Sequence, residues 1–530
     1  MTMTQWFLFF LLVQVIHFLG TWKLYVKAGR KSWEAIVPVY NAIVLMGIIN
    51  RPKWWVILLF IPIVNLIMFP VVWVEILRSF GKNKAIDTVL GVVTLGLYIF
   101  YINYATDAKY VENRSTKAES NSGETVSSIL FAVVVATIIH TYVIQPYTIP
   151  TSSLEKTLLV GDFLFVSKFH YGARTPMTTV ALPMVHDTIP GTKLNSYLKK
   201  PHLPYFRLPG FQKVQHNDIV VFNWPTDTVY QFNDPLRRPA VDKPIDKKTN
   251  YVKRAVGLPG ENLSIKDGDV YINGEKMKLN DRAKLQFTYT VKTDGSSIDF
   301  NSLIKRLDLR EGASYYNNDP TTIILGAVTD EAAEVLRSVT GVVSVQKGLP
   351  KDYQDQITPI VSKMLFPHNQ VGWNEENLGP IHIPAEGETV TLTQENLPFY
   401  QRAISVYEHN KLEVKNGQIY INDVATDKYT FQQNYYFMMG DNRNRSEDSR
   451  YWGYVPEDHI VGKPVFVWMS LDQAIPWGQA IDKIRWDRLF TTVNGNGKQV
   501  SYFPYFLVIV FGLVGYNTYK KRKEKKNSKF

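Results

Sequence analysis

Two residues, Ser153 and Lys253, have the types and the sequence settings of a serine nucleophile and its base. A serine hydroxyl attacks a carbonyl carbon poorly unless a neighbouring group takes its proton. Lys253 lies in a short apolar run that ends in a Pro-Gly turn. Burial there would lower the pKa of the lysine towards ~7–8, at which the neutral amine can act as a general base. The pair therefore indicates nucleophilic catalysis, although spacing alone does not bring the two residues together.

Two nearby residues compete for these roles. Ser152 directly precedes Ser153, and Lys156 places a second amine close to the hydroxyl in sequence. We expect Lys156 to be exposed and charged, and a solvated ammonium is not a base at neutral pH. No Gly-x-Ser-x-Gly elbow surrounds Ser153 and no histidine lies close to it in sequence. The stretch therefore does not indicate a Ser-His-Asp triad.

Four stretches of the chain carry a resemblance to a known family. They are residues 149–163, 217–222, 251–260 and 440–453, and they follow a strongly apolar segment. In type and order they resemble the motifs of the type I signal peptidases, which are membrane-bound Ser/Lys proteases that remove signal peptides from exported proteins. The last stretch, which begins Gly-Asp-Asn-Arg, is the most specific of the four.

The resemblance assigns roles to individual residues. It implies that Ser153 is the nucleophile and that Lys253 is the base. It also implies that the backbone N–H of Ser153 and the hydroxyl of Thr151 form the oxyanion hole, and that Ser446 orients the lysine. A supporting ion-pair network is expected from Asp441, Arg443, Asp448 and Arg450.

The chain departs from the family pattern at two positions beside the nucleophile. The family typically has methionine and proline where this chain has Leu154 and Lys156. Leucine is similar in shape to methionine, but lysine in place of proline loses the rigid turn that proline imposes. For the substrate, the resemblance implies exported preproteins cut after small residues at the −1 and −3 positions, bound as an extended strand.

The hydropathy pattern predicts a membrane-anchored, mainly β catalytic domain with an α/β insertion and several transmembrane helices. The hydrophobic parts are a polytopic N-terminal region over 1–104, an anchor over 126–145 and a C-terminal transmembrane helix over 502–519. Within the first of these, residues 54–76 are long enough for one span, which Pro62 and Pro70 would kink. The catalytic domain is expected in two parts, 146–284 and 376–501, separated by the insertion over 285–375. Asn273-Gly274 predicts a type I′ hairpin over 269–274, and the similar stretch at 417–423 predicts a second one. Within the insertion, residues 331–339 are predicted to form an amphipathic helix. A polar cytoplasmic linker over 105–125 and a basic cytoplasmic tail over 520–530 complete the predicted organisation.

Charge sets the expected orientation in the membrane. The lysine-rich tail that follows the last apolar segment is typical of a cytoplasmic flank. If the tail is cytoplasmic, the catalytic domain lies on the extracytoplasmic side. The predicted location is the bacterial cytoplasmic (inner) membrane, with several passes.

Composition limits the partners and cofactors. The chain has no cysteine, so disulfides and cysteine-ligated zinc sites are excluded. No His-Glu-x-x-His pattern, Walker loop or Rossmann fingerprint is present, and we predict neither a metal nor a cofactor. The net charge of +11 comes partly from the C-terminal tail, so we predict no nucleic-acid partner. Expected partners are signal peptides, the lipid bilayer and the protein export machinery.

The predicted function is therefore cleavage of signal peptides by a membrane-bound serine endopeptidase with a Ser153/Lys253 dyad. Two other functions compete with it. A Ser/Lys self-cleaving protein would need no polytopic anchor. A catalytically dead membrane scaffold would not need Ser153, Lys253 and Ser446 together.

Overall fold

A computed structural model describes residues 2–116, 121–192, 194–229 and 239–527. The chain divides into two compact units. The first consists of Met1–Ile144, Ala173–Pro209 and Asp234–Lys248, and the second of Gln145–Gly172, Gly210–Asn233 and Thr249–Phe530. The predicted linker and tail are described only in part, because residues 117–120 and 528–530 lie outside the described residues.

The first unit is mostly helical. Its α-helices are Met3–Lys27, Tyr40–Ile48, Trp55–Leu58, Val64–Ser79, Ala85–Val93, Tyr98–Ala105 and Asn121–Ile138, and the last of these continues as the π-helical turn Ile139–Val143. Buried aliphatic residues from several helices, among them Leu24, Met46 and Leu77, form its largest apolar core. Apolar contact between the helices therefore stabilises this unit.

Two helices among the described residues are long and apolar enough to cross a membrane, namely Met3–Lys27 and Asn121–Val143. The pair Ala85–Val93 and Tyr98–Ala105 would add a third span if the two helices are counted together, but they are bent by 119°. The predicted span over 54–76 is divided, because its helix stops at Leu58 and a new one starts at Val64. Pro62 lies in the break, where proline removes a backbone donor.

The second unit is built on an eight-stranded curled sheet. In spatial order its strands are Ile144–Thr148, Asp162–Ser167, Ile460–Ser470, Ile219–Asn223, Asn250–Gly257, Tyr435–Met439 and Val455–Pro456, with Thr491–Thr492 beside the third of these. Strands that are neighbours in this sheet come from distant parts of the sequence. The sheet therefore brings the predicted motifs together.

A second, four-stranded sheet contains the predicted hairpin at residues 269–274. Its strands are, in spatial order, Leu378–His382, Asn262–Lys266, Asp269–Ile272 and Glu275–Lys276. Asn273 and Gly274 both have positive φ, as a type I′ turn requires. The similar stretch at 417–423 forms a hairpin of the same kind, in the sheet Leu412–Lys415, Gln418–Ile421 and Val424–Ala425.

Residues 285–375 contain a small antiparallel sheet with helices. Its strands are, in spatial order, Val342–Lys347, Phe287–Thr293, Asp319–Val328 and Ala313–Tyr316. The helices are Phe300–Arg306, Asp330–Arg337 and Lys351–Met364. Thr329 caps the second helix by accepting a hydrogen bond from the backbone N–H of Ala332. A separate apolar core, which includes Phe287, Leu309 and Leu336, holds this module together.

The second unit has one further strand pair and four further α-helices among the described residues. They are the strand pair Thr389–Thr391 and Lys428–Thr430 and the helices Leu397–Arg402, Ser449–Trp452, Ala480–Lys483 and Phe503–Asn527. The last helix begins where the C-terminal span was predicted and continues through the basic residues of the tail. It is not one of the helices found apolar enough to cross a membrane.

Candidate active site

Ser153 lies in a short 3₁₀ turn, Ser152–Leu154, between the strands Ile144–Thr148 and Asp162–Ser167 of the curled sheet. The side chain of Leu154, the next residue, is buried in the apolar core of this sheet and anchors the turn. Thr151 precedes the turn in an extended conformation and is exposed. The turn therefore presents the Ser153 hydroxyl from a fixed backbone, although Ser153 itself is only 5 % exposed.

Lys253 reaches Ser153 from the strand Asn250–Gly257. Its Nζ lies 2.7 Å from Ser153 Oγ, and the residue is 4 % exposed. Burial lowers the pKa of Lys253 to about 8, against the opposing effect of the nearby Asp448 and Glu447 carboxylates. With this pKa about one tenth of the amine is neutral at pH 7 and about half at pH 8. A neutral amine at hydrogen-bond distance can take a hydroxyl proton. The structure thus brings together the two residues that the sequence singled out.

The four predicted network residues do not all make ion pairs. Asp448 and Arg450 form a buried pair, in which Arg450 Nε and Nη2 donate to the two carboxylate oxygens, each at 2.9 Å. The pKa of Asp448 is held below its usual value, because the Arg450 charge and hydrogen bonds outweigh the effect of burial. The partner of Asp441 is Arg254, which was not predicted.

Arg443 has a different environment from the one predicted. Its Nη1 donates to the backbone carbonyl of Gly268 at 2.8 Å, and its guanidinium lies 5.9 Å from the centre of the Phe287 ring. Burial and the neighbouring Arg450 lower the pKa of Arg443 to about 10. Among the described residues Arg443 forms no salt bridge. The prediction that it belongs to the ion-pair network is therefore wrong.

Ser446 is buried close to the turn that carries Ser153. Among the described residues its Oγ makes no hydrogen bond to Lys253, so the predicted bond is not observed. The hydroxyl lies close to Asp448 and contributes to the lowered pKa of that carboxyl, after the larger, opposing effects of burial and of Arg450. Gly440 allows this close approach, because a Cβ at Gly440 would lie 2.3 Å from Ser446 Oγ and 2.6 Å from the carbonyl oxygen of Ser153. The orienting role of Ser446 stays a prediction.

The two competing residues are held by other partners. Lys156 Nζ forms a short ion pair with Asp308 and donates to the Asp308 carbonyl at 2.7 Å. Ser152 Oγ donates to Glu311 Oε1 at 3.4 Å. Lys156 has φ of 68°, a value that proline cannot adopt. The backbone conformation of this turn therefore excludes proline at position 156.

Three residues of the site were not predicted individually, namely Arg254, Asn442 and Glu311. Arg254 directly follows Lys253, and Asn442 directly follows Asp441, so both lie inside the recognised motifs. Their positions next to predicted site residues were the signal that could have identified them. The Asn442 backbone N–H donates to the Ser153 carbonyl at 3.1 Å. Glu311 comes from the module over 285–375, and nothing in the local sequence indicates that it reaches the turn Ser152–Leu154.

A serine hydroxyl in contact with a buried lysine on a curled sheet is an arrangement suited to acyl transfer. The family model described as signal peptidase, peptidase S26, matches residues 122–320 and 382–469, which is more than half of the chain. The chain therefore belongs to the signal peptidase family. A family of unknown function, DUF5684, matches residues 33–113 in the first unit.

Curated relatives agree with this assignment. Signal peptidase I of Buchnera aphidicola subsp. Acyrthosiphon pisum is 25% identical over 384 residues, which cover 70% of this chain and 85% of that protein. Signal peptidase I of Haemophilus influenzae is 24% identical over 387 residues, or 72% and 80% of the two chains. The Pseudomonas aeruginosa protein of the same name is 23% identical over 359 residues, or 66% and 72%. The family and the serine endopeptidase class predicted from the sequence are confirmed.

Proposed function

We propose that this chain cleaves signal peptides from exported preproteins, with Ser153 as the nucleophile and Lys253 as the general base. The observation that carries the proposal is the distance of 2.7 Å between Lys253 Nζ and Ser153 Oγ in a buried site. Family membership supports the substrate class, and the lowered pKa of Lys253 supports its role as a base.

The reaction follows from this contact. The neutral amine of Lys253 takes the hydroxyl proton as Ser153 Oγ attacks the scissile carbonyl carbon. The lysine then returns the proton to the leaving amine, and an ester joins the signal peptide to Ser153. In the second half, Lys253 activates a water molecule that hydrolyses this ester. Each half-reaction passes through a tetrahedral oxyanion, and a preorganised donor to that oxyanion contributes about 3–4 kcal/mol.

The backbone N–H of Ser153 and the hydroxyl of Thr151 are the proposed oxyanion donors. Thr151 is exposed at the start of the turn, so its hydroxyl is accessible to a bound substrate. Ser446 is the proposed orienting residue for Lys253. Asp441, Asp448 and Arg450 support the site from the buried side through their ion pairs. Arg443 contributes through its bond to the Gly268 carbonyl.

The finer features of substrate and location are further parts of the proposal. Cleavage follows small residues at −1 and −3, and the catalytic domain faces the extracytoplasmic side of a bacterial cytoplasmic membrane. The helix Asn121–Val143 is the proposed anchor, and Met3–Lys27 a further span. These two spans would make the protein multi-pass, and the apolar first half of Phe503–Asn527 would add a C-terminal span. Contacts with lipid and with the export machinery belong to the same proposal.

The test is preprotein processing in detergent by the full chain and by its Ser153→Ala variant. We expect the wild type to release the mature protein and the variant to leave the preprotein intact. A substrate with a large residue at −1 should resist cleavage by the wild type. Unchanged cleavage by Ser153→Ala would contradict the proposal. An inactive wild type that still binds the preprotein would instead identify a scaffold.

A further inference from the structure

We infer that Glu311 is a positioning residue for the nucleophile turn, Ser152–Leu154. Through Asn442 it fixes the peptide group that contains the proposed oxyanion donor, the backbone N–H of Ser153. The inference rests on the proposed function, because it assigns a role in the same active site. Glu311 belongs to the module over 285–375, which lies between the recognised lysine and Gly-Asp-Asn-Arg motifs in sequence. This module therefore contributes to the catalytic centre.

Glu311 is in contact with three groups around the turn. Its Oε1 accepts from Asn442 Nδ2 at 2.9 Å and from Ser152 Oγ at 3.4 Å. Its Oε2 accepts from Arg445 Nε at 2.6 Å. The Glu311 side chain is 11% exposed, whereas that of Arg445 is 65% exposed. The ion pair with Arg445 contributes little, because exposed ion pairs are weak. The less exposed hydrogen bond with Asn442 is therefore the contact that matters more for the position of the turn.

Asn442 transmits this contact to the nucleophile. Its Nδ2 donates to the carbonyl of Ser152 at 3.3 Å, and its backbone N–H donates to the carbonyl of Ser153 at 3.1 Å. The carbonyl of Ser152 and the N–H of Ser153 belong to one planar peptide group and point in opposite directions. A bond that fixes the Ser152 carbonyl consequently fixes the direction of the Ser153 N–H, which is the proposed oxyanion donor.

Glu311 lies in a loop, residues 307–312, and other residues of this loop fix its position relative to the turn. Leu309 is buried in the core of the module and anchors the loop there. On either side of it, Asp308 pairs with Lys156, and Arg310 Nη1 lies 3.4 Å from Glu155 Oε1. A pocket of ≈ 180 Å³ lies between the loop and the turn. Polar contacts, and not continuous apolar packing, therefore set the distance between the two.

The test compares three variants of the full chain in the processing assay. In Glu311→Ala the contact with Asn442 is lost, and we expect kcat to fall by about 10- to 100-fold, since small misplacements of reacting groups have effects of this size. KM should change by less than about threefold. The midpoint of the pH–rate profile should not move, because Lys253 is untouched. Glu311→Gln keeps an acceptor for Asn442 and should restore kcat to within about threefold of the wild type.

The matched control is Glu334→Ala in the same module, because Glu334 is 73% exposed and pairs with Arg337 on the same helix. It should leave kcat and the midpoint of thermal unfolding unchanged. A wild-type kcat for Glu311→Ala would overturn the inference, as would equal losses for Glu311→Gln and Glu311→Ala. A fall in kcat that is matched by a fall in the unfolding midpoint would also overturn it. Ser153→Ala run in parallel separates the two claims, since its inactivity upholds the proposed function even if Glu311 proves unimportant.

Discussion

Arg254, which directly follows the proposed base Lys253, forms a bidentate ion pair with Asp441. Arg254 Nε donates to Asp441 Oδ1 at 2.7 Å and Arg254 Nη2 donates to Asp441 Oδ2 at 2.6 Å. Both side chains are buried, and Thr157 Oγ1 donates to the same carboxylate at 2.6 Å. The pair connects the strand that carries Lys253 to the segment that contacts Ser153.

Removal of one partner of this pair should destabilise the protein strongly. Arg254→Met leaves the Asp441 carboxylate buried without its main partner, and breaking a buried pair in this way costs about 3–5 kcal/mol. The double variant with Asp441→Leu as well should recover part of the loss. Thermal unfolding in detergent measures both. Equal midpoints for Arg254→Met and the wild type would contradict this prediction.

Substitution of each lysine near the nucleophile should identify the base. Lys253→Ala should lower kcat/KM by about 10²- to 10⁴-fold, the usual contribution of a general base. Lys156→Ala should lower it by less than about tenfold, because the Lys156 amine is bonded to Asp308 and not to Ser153. Preprotein cleavage rates measure the difference. The reverse order of effects would assign the base to Lys156.

The buried lysine should also make the folded protein less stable than it could be. The pKa of Lys253 is lowered from 10.5 to about 8, so below pH 8 the unfolded chain holds this proton more favourably than the folded protein does. Such a shift corresponds to about 3 kcal/mol. Lys253→Met should therefore raise the unfolding midpoint at pH 7. The gain should shrink between pH 8 and 10.5. In this range the wild-type lysine has already lost its proton in the folded protein and loses it in the unfolded chain only as the pH approaches 10.5. A gain that is equal at both ends of this range would have another cause.

A methyl group at Gly440 should disturb the nucleophile. It would lie 2.6 Å from the Ser153 carbonyl oxygen and 2.3 Å from Ser446 Oγ, so one of the two must move. We expect Gly440→Ala to lower kcat by at least about tenfold through displacement of the turn. Gly478→Ala is the control, because nothing lies within 4 Å of a Cβ at that position. Equal activity of the two variants would contradict the account.

The sequence predicted the elements whose signals are local. The Asn273-Gly274 turn and the helix capped by Thr329 depend on a few neighbouring residues, and both lie where they were predicted. The predicted span over 54–76 is an instructive difference. Its apolar length indicated one helix kinked at Pro62 and Pro70, but around Pro62 one helix ends and another begins, and Ile63 has a positive φ. Hydropathy counts apolar residues and does not register this backbone break.

The active site was predictable only where a motif carried it. Ser153 and Lys253 came from recognised stretches, whereas their contact depends on the pairing of strands far apart in sequence. The partner of Asp441 was missed for the same reason, since Arg254 lies on the neighbouring strand, far away in sequence, and any of several arginines has the charge to pair with an aspartate. Glu311 carries no motif, and its role follows only from the packing of the loop against the turn.

The pH dependence of kcat/KM tests the central claim most directly. If the neutral amine of Lys253 is the base, activity should be low when the amine is protonated and should rise with pH to a plateau, with a midpoint near the Lys253 pKa of about 8. The same midpoint should appear in the rate at which an amine-directed reagent labels Lys253 in the Ser153→Ala variant. A midpoint near the ordinary lysine value of 10.5, or a rate independent of pH across this range, would contradict a mechanism based on a buried, neutral Lys253.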